Sequence, residues 1–265
     1  MKLVWTFDSM QLSHKKDWQF ILINYYLESI KKAKELGYYT IIYTNIDCKH
    51  YFIEITDEVI ILTNSDSPLF DWMKIEVLKS RIDTFCLIDG DLILHKKLPE
   101  FTTDVVYDSP EVNGWGPYNR TIKLLDTIGI GNEIEHWSTN KVDVFNCGIL
   151  YINNTEFKKL YIKNWEIANT FVKNNISKFT TTLVVDDLKN FQRDEVLIGI
   201  GTTTYHATAA CSQYYLTILV NKLGISNTNL QEKTNIKGNY YIHYTGAEKY
   251  KNPKVPIILK NKTLL

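Results

Sequence analysis

The apolar positions of the chain fall into two regimes. In the first half, short hydrophobic runs alternate with stripes of helical period. Leu3 to Phe7 is an apolar run closed by Asp8 and reads as a strand. From Asp17 to Leu36, residues Phe20, Ile23, Tyr26, Leu27, Ile30 and Ala33 recur at three- and four-residue spacing, which predicts an amphipathic helix that Gly37 ends. Tyr38–Tyr43 and Glu58–Thr63 are β-branched or aromatic and predict strands. Trp72–Arg81 predicts a helix with Ile75, Leu78 and Ile82 turned inward, and Thr84–Ile88 a strand that stops at Asp89. Strands and helices in this order predict an α/β layer with a mostly parallel sheet. In such sheets ligands bind beyond the carboxyl ends of the strands. Asp8, Asn45 and Asp89 each follow a strand end directly and are expected at one edge.

The second half is less regular. Leu98–Val106 leads into Gly114-Trp115-Gly116-Pro117, a loop that can serve as a lid, an acceptor platform or a plain packed connection. Val142–Asn153 predicts a strand with Gly148 inside it, and Glu156–Lys173 a helix. Asp186–Ile200 begins as a loop and turns helical, Ala207–Leu223 reads as a helix or as broken strands, and Tyr240–Tyr244 is a short strand. The tail after Lys251 is polar, and there is no internal repeat or low-complexity linker. One domain over 1–265 is expected.

Composition narrows the partners. With 265 residues, 45% of them hydrophobic, the chain can bury one sizeable core. Lys+Arg and Asp+Glu are 30 each, so bulk charge attracts neither nucleic acid nor an anionic membrane, and phosphate binding needs a local site. Cys48, Cys86, Cys147 and Cys211 form no CxxC pair, and Cys86 and Cys147 sit in apolar runs, as reduced cytoplasmic thiols do. The first apolar run is too short for a signal h-region, and no segment reaches membrane-span length. The sequons at Asn119, Asn153, Asn175 and Asn261 are then idle. A Lys, Asn, Ile and Tyr bias (17 Tyr) fits an AT-rich bacterial or large-DNA-virus genome.

Four segments carry candidate chemistry. In Asp89-Gly90-Asp91, carboxylates at i and i+2 of an extended backbone project to one side, and Gly90 clears space for a ligand. Hard cations such as Mg²⁺ or Mn²⁺ take such oxygens. A hairpin turn is the plainer account, since Asp-Gly favours turns. A dehalogenase-type phosphatase would want Thr where Ile93 stands. His243-Tyr244-Thr245-Gly246-Ala247-Glu248-Lys249 offers a neutral imidazole ligand, a glycine for close backbone approach and a cation, or else a surface turn. Asn146, in an apolar strand, needs a polar partner, either a sugar hydroxyl or an internal anchor. Gln192-Arg193-Asp194-Glu195 opens an apolar helix, where Asp194 is a cap or a carboxylate for a sugar.

In order and spacing these segments resemble the GT-A glycosyltransferases, most closely the retaining enzymes of family 8, the glycogenin and galactosyltransferase type. Lys74 matches the family's lysine ahead of the DxD, Asp89-Gly90-Asp91 the DxD, and Asn146-Cys147-Gly148-Ile149-Leu150 its Asn-x-Gly strand. Asp194-Glu195 approximates its Asp-Gln helix start, and His243, Gly246 and Lys249 meet its His-x-x-Gly-x-x-Lys motif in full. The resemblance spans roughly residues 3 to 250. It implies a single Rossmann-like GT-A domain whose mixed, mostly parallel sheet is flanked by helices. The nucleotide-binding half would cover about 1–110 and the acceptor and catalytic half about 111–250. It further implies that Asp89, Asp91 and His243 bind Mn²⁺ (or Mg²⁺). Gly246 and Lys249 would contact the donor diphosphate, Lys74 and Asn146 the donor, and Thr6, Phe7 and Asp8 the base and ribose. The chain departs from the family at Glu195, where the family has Gln, and in lacking Pro-Trp after Lys249. A broader relation to family 32 or to capsular-sugar transferases stays open.

The implied reaction moves a hexose from a UDP-sugar to a hydroxyl acceptor, glycan or protein, with retention. Attack on the same face and a transient adduct with Asp194 or Glu195 both remain open. A homodimer is allowed. Two alternatives stand beside this reading. A sugar-1-phosphate nucleotidyltransferase would want a glycine-rich loop after the first strand, and Thr6–Ser13 has no glycine. The other is a non-catalytic nucleotide-sugar-binding protein.

Overall fold

A computed structural model describes residues 1–8, 16–63, 65–69, 71–111, 116–178, 207–231 and 240–244. The predicted loop-to-helix segment 186–200, Trp115 and the polar tail lie outside them.

The apolar runs of the first half become β1 (Lys2–Phe7), β2 (Tyr39–Thr44), β3 (Glu58–Ile61) and β4 (Phe85–Ile88). The helical stripes become α1 (Lys16–Glu35) and α3 (Trp72–Ser80), while a 3₁₀ turn and the short α2 (Lys49–Phe52) join β2 to β3. After β4 come β5 (Leu92–Leu94), β6 (Val105–Glu111), α4 (Gly116–Thr127), β7 (Val144–Ile152) and α5 (Thr155–Asn174). A π-helical turn, Ala210–Tyr214, runs into α6 (Tyr215–Leu223), and β8 (Asn227–Asn229) and β9 (Tyr241–His243) follow.

Seven strands form a mixed sheet in the order β3-β2-β1-β4-β7-β6-β8. The pairs β3–β2, β2–β1, β1–β4 and β6–β8 are parallel, and β7 is antiparallel to both neighbours. The sheet is therefore mostly parallel and flanked by helices, as expected. Successive residues of β1 face opposite layers. Leu3, Trp5 and Phe7 pack with Ile23, Tyr26, Leu27 and Ile30 of α1, whereas Val4 joins a layer built on α3, α5 and α6. Strand order reverses between β1 and β4, so a crevice opens past their carboxyl ends. Phe7 lies level with Thr44, which brings Asp8 and Asn45 to that edge with Asp89.

Three expectations need correction and one open alternative is decided. Ile82 does not face inward. It is 99% exposed, because α3 stops at Ser80 and Arg81 is extended (φ −102°, ψ 128°), which breaks the helical stripe. Residues following Val106 continue as a strand. Asp108, Ser109, Pro110 and Glu111 hide β6 from its hydrophobic pattern. Gly116-Pro117 opens α4, where an early proline is well tolerated. Ala207–Leu223 is helical and ends at Gly224 in the left-handed region (φ 61°). No helix among the described residues is long and apolar enough to cross a membrane. All four cysteines are buried free thiols.

Candidate metal centre

Asp89-Gly90-Asp91 follows β4 as a turn, not as extended backbone. The Leu92 N–H donates to the Asp89 carbonyl (3.1 Å), and the Asp89 N–H to the Gly148 carbonyl (2.8 Å). The turn thus accounts for the local backbone, yet the two carboxylates still converge. Gly90 is required from behind and not by a ligand, since a Cβ there would fall 2.1 Å from Cε2 of Tyr26. Tyr26 donates its hydroxyl to the Thr6 carbonyl (2.9 Å) and so pins the turn against β1.

A two-stranded ribbon supplies the third group. β5 pairs antiparallel with β9, Leu92 opposite His243, and the Tyr244 N–H donates to the Asp91 carbonyl (3.0 Å). One ligand atom each from Asp89, Asp91 and His243 then lies within 4.8 Å of the others. His243 Nε2 is 3.4 Å from Asp91 Oδ1, and Nδ1 is 2.6 Å from Asp108 Oδ2. The other oxygen of Asp108 accepts the Tyr241 hydroxyl. A Cβ on Gly148 would sit 2.3 Å from the His243 ring, so only glycine lets the imidazole lie against β7. Burial disfavours a charged His243, but Asp108, Asp91 and Asp89 outweigh it and raise its pKa to about 10 in the metal-free protein. Asp108 was not among the residues picked from sequence. Its one signal is a carboxylate directly after Val105-Val106-Tyr107.

Lys74 projects from α3 and donates to Asp89 Oδ1 (2.5 Å). Burial pulls its pKa down, yet the Asp89 carboxylate holds it above the ordinary lysine range. Asn146 Oδ1 accepts the Gly148 N–H (2.9 Å), and its Nδ2 donates to Glu111 Oε1 (2.6 Å), so the amide is an internal anchor in this state. Thr6, Phe7 and Asp8 stand at the same edge with protein partners. The Phe7 carbonyl accepts from Thr44 Oγ1 (2.8 Å), and its ring is fully buried against Tyr26 and Phe52. Asp8 Oδ2 accepts from the Trp72 indole (2.6 Å). Asp89, Asp91, His243 and Lys74 are thus brought together, while Asp194, Glu195, Gly246 and Lys249 lie outside the described residues. Two carboxylates and one imidazole fit a divalent cation that accepts mainly oxygen.

No protein-family model matches the chain, and no curated protein matches it. Solved structures similar to it include the galactosyltransferase LgtC in complex with donor and acceptor sugar analogs. There the identity is 11%, the TM-score 0.37, and the match covers 66% of this chain and 64% of that one. For the glycosyltransferase GlyE of Streptococcus pneumoniae TIGR4 the identity is 12% and the TM-score 0.37, covering 88% and 46%. For mouse xyloside xylosyltransferase 1 they are 10% and 0.35, covering 67% and 74%. The chain spans less than two thirds of the first and less than half of the second. At such TM-scores these likenesses carry no weight for function.

Proposed function

We propose that this chain is a metal-dependent glycosyltransferase of the GT-A type. It would transfer a hexose from a UDP-sugar to a hydroxyl of a glycan or protein, with retention. One observation carries the reading. A turn at the sheet's crevice and a ribbon from the far end of the chain converge Asp89, Asp91 and His243 into one candidate ligand set. A divalent cation held there, Mn²⁺ or Mg²⁺, supplies charge neutralisation for a leaving diphosphate. Lys74 sets the position of Asp89 from α3. Asn146 and the β1 end at Thr6, Phe7 and Asp8 are the proposed donor-binding groups beside this site. Gly246 and Lys249 complete the motif that His243 opens, and Asp194 and Glu195 are the proposed groups at the donor's reacting carbon. The four buried thiols suit a reducing, cytoplasmic setting.

UDP release from a panel of UDP-sugars, with and without Mn²⁺, tests this. Mn²⁺-dependent release is expected for at least one donor. Asp91→Asn should cut it by roughly 100-fold or more, as loss of a few kcal/mol of transition-state stabilisation does. Unchanged release in Asp91→Asn would sink the reading. Nucleotide binding without turnover would favour the binding-only alternative.

A further inference from the structure

We infer that Asp108 is a positioning residue of this centre: its carboxylate takes the Nδ1–H of His243 and so commits Nε2 to the cation. The inference rests on the metal-centre reading above and deepens it.

Asp108 is 1% exposed, and a buried carboxylate is costly unless its oxygens are bonded. Both donors come from β9. The His243 ring meets one oxygen at 2.6 Å, and the Tyr241 hydroxyl meets the other. Residues two apart on a strand project to one side, so a single carboxylate can hold both. β7 makes room for it by an irregularity. Tyr107 lies level with Leu150 but Ser109 with Asn146, so Asp108 faces three β7 residues, Cys147 to Ile149, and this bulge in β7 re-aims the side chains around it. Gly148 closes the opposite side, because any Cβ at that position would strike the ring.

The chemistry follows from imidazole itself. A neutral ring has one N–H and one lone pair, and the partner of one nitrogen decides which is which. A carboxylate only accepts, so Nδ1 carries the proton. The lone pair then sits on Nε2, the nitrogen facing Asp91. Carboxylate–histidine–metal pairs work in this way, and losing the outer carboxylate typically weakens the metal. Asp108 would therefore act on the cation only through His243.

Mn²⁺ titration followed by electron paramagnetic resonance tests the inference, with spin-echo modulation reporting nitrogen coupled to the bound ion. The wild type should bind Mn²⁺ with such a coupling, and His243→Ala should lack it. Asp108→Asn should bind roughly 10- to 100-fold more weakly with the coupling lost or changed. If Asp108→Asn keeps both affinity and coupling, the inference is overturned and the metal centre stands. If the wild type shows no nitrogen coupling, both fall together. Should Asp108→Asn not fold, ring-nitrogen NMR of the wild type loaded with Zn²⁺ decides. A proton on Nδ1 is expected, and one on Nε2 overturns the inference.

Discussion

The two halves of the sheet solve different problems. β1 to β4 run parallel; β1, β2 and β4 are buried over most of their length while β3 is a partly exposed edge, and their side chains are mostly apolar. Polar groups of this half wait just past the strand ends, at Asp8, Asn45 and Asp89. β6, β7 and β9 instead carry polar groups inside the strands, at Asp108, Asn146 and His243. The candidate centre forms where the halves meet, at the β4–β7 junction and in the β5–β9 ribbon. A scaffold that is insensitive to metal and an assembly that depends on irregular strands should therefore fail in different ways.

The largest expected effect tests the scaffold. Ile41 on β2 is fully buried, and Ile41→Ala should cost about 2–5 kcal/mol in urea unfolding. Because Ile41 belongs to neither strand of the ribbon, Mn²⁺ affinity of the folded protein should stay within about twofold. A parallel loss of affinity would mean that the halves are not separable. Gly148→Ala probes the seam. The new methyl would meet the His243 ring, which Asp108 prevents from swinging aside. Overpacking of this kind costs about 1–3 kcal/mol. Mn²⁺ affinity should fall by roughly tenfold or more as the imidazole is displaced. Calorimetric titration checks it, and an unchanged affinity would detach His243 from the centre.

This contrast also explains what could be read from sequence. The scaffold strands and helices follow their hydrophobic runs to within a residue or two, since burial on two faces demands such runs. Asp89, Asp91 and His243 were legible as residue types at a spacing, but the ribbon that joins them was not. β5 and β9 are three residues each, too short for any period to register. Asp108 escaped because the bulge opposite it is in β7, far away in sequence, and because β6 then runs into Ser109, Pro110 and Glu111, a series that resembles a turn. The purpose of Gly90 was misread for a related reason. What it clears is the Tyr26 ring from α1, and nothing near Gly90 in sequence announces that neighbour.

The smallest expected effect separates the halves by pH. In the metal-free protein His243 has its pKa raised to about 10 by Asp108 and Asp91, against burial, while an unfolded histidine sits at about 6.5. A raised folded pKa gives stability that is complete below the unfolded value and lost as pH climbs through the folded one. Stability of the metal-free protein should therefore decline from about pH 6.5 upward, by about 1.4 kcal/mol per pH unit at most. The buried cysteines, whose pKa values burial also raises, add a decline of the same sign only near and above the ordinary thiol range. The Asp71 carboxyl, which burial raises to about 6, adds a decline of the same sign that is nearly complete by about pH 7, so among the described groups His243 dominates from there to about pH 8. Mn²⁺ affinity should move in the opposite direction over that interval, because the cation must displace a proton from Nε2. Urea unfolding and Mn²⁺ titration at several pH values check both slopes. In His243→Gln both should flatten, whereas Ile41→Ala should shift the stability curve downward without changing its slope. If the wild-type slopes ran in the same direction, Nε2 would not be the nitrogen that proton and metal share.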